Sequence, residues 1–154
     1  MYTDGSALTR LTGDQCLHLM TSVPVGRIIY TRQALPAVEL VNFAIHNGDI
    51  VIRTDRGGKL AAAILGAVVA FEADHLDAGQ HAGWSVTAIG QAREVTDPGE
   101  IGQLERIGLT PWAPGDRHHF IRITPGILNG RRLSVHGPEQ LLRVPQECVS
   151  AESI

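Results

Sequence analysis

Lysine is almost missing from this sequence: Lys59 stands alone against twelve arginines, and the 154 residues hold only two cysteines, Cys16 and Cys148. The two thiols fall in no metal-binding or redox spacing, so free thiols in a reducing cytoplasm are expected rather than a disulfide framework. Charged residues make up only 19% of the chain and the net charge is -3. That balance argues against a general nucleic-acid binder, which needs a basic face to neutralise phosphates. It leaves room for one small, locally positive anion pocket. No apolar run approaches the length of a membrane span, and the opening MYTDGSALTRLTGDQ lacks an apolar h-region, so neither a membrane span nor secretion is expected. Motifs for nucleophilic and zinc chemistry are also missing: there is no GxSxG, no HExxH and no Cys–His pairing. His75 and His81 lie across a loop, and the adjacent His118 and His119 point to opposite faces of a strand, so no metal ligand set is expected.

What is present is an ordinary globular chain, 44% hydrophobic, of a length that suits one domain over 1–154. Its core is expected over about residues 10–133, and the tail 137–154 has no clear period. The segment LTGDQCLHLMTSVP reads as a short helix closed by Pro24. Val25 to Thr31 is strand-like, and Ala37–Ile45 with Asp49–Thr54 reads as a hairpin around Asn47-Gly48, among the strongest hairpin signals. A helix of about two turns follows in GGKLAAAILG. Further strands are expected at Ala67–Asp74 and Trp84–Val95, where Gly90 marks a bulge or a close approach. A helix capped by Asp97 with Pro98 just inside comes next, then an extended pair broken near Pro125-Gly126. Connections this short and helices this few do not build βαβ units. The expected fold is mainly β, a six-stranded antiparallel Greek-key barrel with two or three short flanking helices.

The stretch VIRTDRGGKLAAAILG, Val51 to Gly66, crosses from strand to helix. A helix N-terminus offers unpaired N–H groups and partial positive charge, and Gly57 and Gly58 let backbone approach a ligand closely. Thr54 adds a hydroxyl, Arg53 and Arg56 add guanidinium forks, and Lys59 adds a compact charge. The set reads as a phosphate cradle without Walker A spacing; the alternative is a plain Gly-Gly turn with a surface lysine.

Four segments in order carry a family resemblance: CLHLMTSVPVGRIIY, PAVELVNFAIHNGDIVIRTDRGGKL, FEADHLDAGQHAGWSVTAIGQAREV and HHFIRITPGILNGRRL. Over roughly residues 10 to 133 the chain resembles the pyridoxamine 5'-phosphate oxidase-like family of FMN-binding split barrels. The resemblance implies a homodimeric flavin-dependent oxidoreductase, with FMN at the dimer interface and a small-molecule substrate. It implies that Arg53, Thr54, Gly58 and Lys59 hold the phosphate, while Val41, Asn42 and Phe43 form the wall and polar contacts of the isoalloxazine. Trp84 lies against the cofactor or the dimer seam by the same resemblance, or else fills core. Related barrels use the deazaflavin F420 or haem, so an F420-dependent reductase and a non-enzymatic flavin or haem binder stand as alternatives, as does a barrel that has lost its ligand. Arg131-Arg132 and His136 do not reproduce the substrate-phosphate pattern of true pyridoxamine-phosphate oxidases, so vitamin B6 oxidation is not carried over. Glu72 and Asp74 share one strand face and either order a polar network near the site or end a strand at solvent.

Overall fold

The structure, a computed structural model, describes residues 7–55, 58–115 and 118–134. Seven strands and three helices follow one another as β1 (Ala7–Leu11), α1 (Gly13–Met20), β2 (Val25–Arg32), β3 (Leu35–His46), β4 (Asp49–Thr54), α2 (Lys59–Ile64), β5 (Val68–Asp77), β6 (Ala82–Glu94), α3 (Pro98–Arg106) and β7 (His119–Ser134). Pairing is antiparallel throughout these strands. Six of them close a ring in the order β2-β3-β4-β7-β6-β5, the barrel expected from the sequence. The seventh, β1, extends the β4 side of β7 and, among the described residues, has no neighbour but β7. The tail from residue 135, with Cys148 and His136, lies outside the described residues.

Local chemistry accounts for most boundaries. Asn47 and Gly48 both take positive φ, the geometry of a two-residue hairpin turn. A second such turn joins β2 to β3 through Gln33 and Ala34, both also at positive φ without glycine. Helix α1 starts on a capping box: the Thr12 hydroxyl accepts from the Gln15 N–H, and the Gln15 side chain accepts from the Thr12 N–H. Asp97 caps α3 through the Glu100 N–H, with Pro98 in the first turn as expected.

Strand β7 runs on for sixteen residues, but its ladder with β6 is interrupted at the expected Pro125-Gly126: Ile89 pairs with Ile127 and Gly90 with Pro125, leaving Gly126 as an extra residue. Gly90 sits so close to the Thr124 carbonyl that a Cβ there would collide with it, so glycine is what lets the two long strands cross.

The barrel is filled by alternate residues of its strands, among them Ile28, Phe43, Ile50, Ile52, Phe71, Val86 and Ile123, with Cys16 and Met20 of α1 closing one end. Burial pushes the Cys16 thiol above its ordinary pKa, so it stays a protonated core side chain. A second, smaller core lies outside the barrel, where Leu104 of α3 packs on Val51, Val95 and Phe120. Among the described residues no helix is long and apolar enough to cross a membrane.

The outer surface carries a pattern as regular as the core. Cross-strand partners line up Val38, Ile29, Ala70, Ile89 and Ile127 in one apolar row across β3, β2, β5, β6 and β7. Val38 is 62% exposed and Ile127 53%. The next row reads Leu40, Arg27, Glu72, Thr87 and Asn129.

Candidate functional site

Strand β3 changes partner midway. Its first eight residues, Leu35 to Asn42, pair with β2, and its last four, Phe43 to His46, pair with β4. Where β3 leaves β4, the wall divides and a cleft of about 550 Å³ opens. Val41 and Asn42 of β3, Arg53 and Thr54 of β4, and Gly58 and Lys59 at the start of α2 all line it. Six of the eight residues singled out in the sequence therefore meet at one place. Arg56 and Gly57 lie outside the described residues.

Within the cleft the six differ in what they can offer. Thr54 is 5% exposed, and its hydroxyl oxygen is buried with no hydrogen-bond partner among the described residues. A buried hydroxyl without a partner is costly, and such groups call for a ligand or a function. Lys59 is exposed, and among the described residues no carboxylate pairs with it. Arg53 is already engaged: its Nη1 donates to the Leu109 carbonyl at 2.9 Å and its guanidinium lies 5.0 Å over the Phe120 ring. Gly58 spends its N–H on the Asp55 carbonyl at 3.2 Å, so its backbone closes the turn rather than standing free.

Asn42 is also spoken for. Its Nδ2 donates to the Pro24 carbonyl at 3.3 Å, and its Oδ1 accepts from the Trp112 N–H at 2.8 Å. The amide thus ties the loop after α3 to the mouth of the cleft. That loop supplies Pro111, Trp112 and Ala113 to the lining, and the sequence reading passed over all three. Behind the opposite wall the Tyr30 hydroxyl donates to Glu39 Oε1 at 2.6 Å, and this bond to Glu39 first, then burial, raises the Tyr30 pKa.

Phe43 and Trp84 lie elsewhere. Phe43 points into the barrel and meets Phe71 edge-on at 4.8 Å between centroids. Trp84, 7% exposed, packs in the core and borders a separate groove with Leu8, Leu76 and Leu133. His46, beside the hairpin turn, is engaged: its carbonyl and Nδ1 both accept from Arg122, at 3.0 and 2.8 Å. Among the described residues no three His, Cys, Asp or Glu side chains gather as a metal site.

Glu72 and Asp74 do form a network, on the outer surface of the barrel. Arg27 Nη1 lies 3.2 Å from Glu72 and 3.4 Å from Asp74. Desolvation by burial, then the hydrogen bond and charge of Asp74, push the Glu72 carboxyl up to about 7. The unfolded chain releases this proton near the ordinary value of 4.5, so between there and about 7 the folded state binds more protons. Stability is therefore greatest below that window and is lost as pH rises through it. We expect Glu72→Gln to flatten this decline. In thermal melts at pH 5 and pH 8 the variant should gain on wild type at the higher pH; parallel melting curves would refute the assignment.

Three comparisons place the chain among known proteins. The family model for pyridoxamine 5'-phosphate oxidase matches residues 12–132. An uncharacterized protein of Mycobacterium tuberculosis is 37% identical over 131 residues, covering 82% of this chain and 86% of the relative. Among solved structures, the FAD binding protein from Mycobacterium smegmatis is 35% identical with a TM-score of 0.71, covering 82% of this chain and 99% of that one. A conserved Corynebacterium diphtheriae protein of unknown function is 31% identical with a TM-score of 0.67, covering 81% of this chain and 97% of that one.

Proposed function

Since the chain belongs to the pyridoxamine 5'-phosphate oxidase family, we propose that it binds a flavin nucleotide in the cleft beside β3 and works as a cytoplasmic oxidoreductase on a small molecule. The observation that carries this reading is the buried, unpartnered Thr54 hydroxyl next to Lys59, which suits a phosphate better than any group already in the chain. The 35% identity to an FAD binding protein supports it. FMN is the smallest flavin that carries a phosphate, and FAD contains the same riboflavin phosphate.

A bound flavin would supply the two-electron exchange, and the protein the binding, orientation and electrostatics. Thr54 would donate to a phosphate oxygen and Lys59 would balance its charge. Val25, Leu40 and Val41 give an apolar wall for a planar ring. Asn42 acts by holding the 109–113 loop, because its amide oxygen and nitrogen are both engaged. No side chain is assigned as acid or base. F420 fits less well, since its carboxylate tail calls for several basic groups and Arg53 is committed to Leu109 and Phe120. Haem fits less well because no histidine is among the described residues lining this cleft.

A second copy of the chain is the partner we propose, packed on the apolar row from Val38 to Ile127. Leu40 belongs both to the neighbouring row and to the cleft lining, so a copy seated there would also wall the flavin site. Arg27 and Glu72 in that row make the face self-complementary in charge.

The test is a titration of the purified protein with FMN, FAD and riboflavin, followed by visible absorption, with light scattering for mass. A perturbed flavin spectrum, tighter binding of the phosphorylated forms and a two-chain mass are expected. Spectra that no flavin changes would defeat the flavin reading, and a one-chain mass with bound flavin would defeat the dimer alone.

A further inference from the structure

Trp112 is the most exposed of the large hydrophobic side chains among the described residues, at 71%. Tryptophan in such a setting holds a large apolar surface in water, which favours whatever covers it. Its position is also fixed. Asn42 accepts from its backbone N–H at 2.8 Å, Arg53 holds the preceding Leu109 carbonyl at 2.9 Å, and Pro111 restricts the chain between them. Two side chains from the barrel thus clamp the loop that presents this indole, and both clamps line the same cleft as Thr54 and Lys59. An aromatic held in place beside an anion-accepting pair is the arrangement that a nucleotide base uses, stacking for affinity while the phosphate is gripped nearby.

Building on the flavin reading above, we propose that Trp112 is the stacking platform for the adenine ring of FAD, and so the residue that makes this cleft prefer FAD to FMN. The redox ring needs a sheltered place, and the half-buried Val25 and Val41 of the cleft wall offer one. The Trp112 rim faces water and suits the half of the ligand that does no chemistry.

The experiment compares FAD and FMN affinities, by quenching of flavin fluorescence, in wild type and in Trp112→Leu and Trp112→Phe. The backbone bond to Asn42 survives both substitutions, and an exposed side chain leaves the core untouched. Trp112→Leu should weaken FAD by roughly tenfold to a hundredfold, the usual scale for one stacked base, and leave FMN within about twofold. Trp112→Phe should recover much of the loss. FAD should also quench the emission of the exposed indole and spare that of the buried Trp84. Unchanged FAD affinity in Trp112→Leu would overturn the proposal, as would an equal loss for both flavins, which would put the isoalloxazine on this platform. A wild-type protein that binds no flavin would sink the underlying reading as well; one that binds both flavins equally, untouched by Trp112→Leu, would sink only this inference.

Discussion

Arg122→Ala should cost about 3–5 kcal/mol of folding stability, the penalty typical of breaking a buried ion pair from one side. The Arg122 side chain is only 4% exposed, yet its guanidinium serves three parts of the fold. Nε meets Glu100 of α3 at 2.7 Å, Nη1 meets Asp49 at 3.2 Å and the His46 carbonyl at 3.0 Å, and Nη2 donates to His46 Nδ1 at 2.8 Å. Strand β7, the β3–β4 turn and α3 are joined through one planar group, which is the geometry arginine supplies and lysine does not. Removing it takes this partner from Asp49 and the His46 acceptor and leaves Glu100, among the described residues, with only the half-exposed Arg93. By contrast, Arg93→Ala breaks a pair whose cation is half exposed and should cost no more than about 1 kcal/mol. Urea denaturation midpoints for the two variants at neutral pH make the comparison. Equal, small losses would mean that the helix and hairpin hold each other without the arginine.

Lys59→Ala and Thr54→Val should both weaken binding of flavin phosphates while moving apo stability differently. Lys59 is exposed, so its loss should leave the empty protein unchanged but lower FMN affinity by roughly tenfold to a hundredfold, with riboflavin little affected. Thr54→Val keeps the shape and deletes a hydroxyl that has no partner. The apo protein should then gain about 1 kcal/mol, because an unsatisfied buried group is gone, while phosphate binding suffers. A residue that stabilises the fold when removed and weakens the ligand when removed is poised for that ligand. Melting temperatures and flavin titrations on the same samples decide it. Losses of the same size for riboflavin and FMN would place both residues away from the phosphate.

Much of this was legible because the signals are local. Asn47-Gly48 and Asp97-Pro98 announce a turn and a helix start from two residues each. The Thr12 to Gln15 capping box, just before a helix that begins at Gly13, is equally local. The Gln33-Ala34 turn carried no such sign, since neither residue favours positive φ and the pairing of β2 with β3 imposes it. Strand β1 was missed for a related reason: Ala7 to Leu11 is a strand only because β7 offers it an edge. Of Val41, Asn42 and Phe43, expected to form one ligand wall, the first two line the cleft, whereas the Phe43 ring turns into the barrel core against Phe71. Trp112 sits in a Pro/Gly loop without periodicity, and its place depends on an amide 70 residues away.

The sixteen residues of β7 set a condition on how this protein comes into being. They pair with β1, β4 and β6, and β4 lies some 65 residues upstream of its partner segment, so the ring cannot close until the last described strand exists. On a ribosome that adds about 5–20 residues per second, β4 and β6 wait for seconds with bare edges, each open to another nascent chain. Closure of the ring must follow synthesis of β7 rather than accompany that of the earlier strands, and topology of this kind is slow to form. A chain cut before His119 would keep every residue of the cleft and lack the strand that holds its walls together.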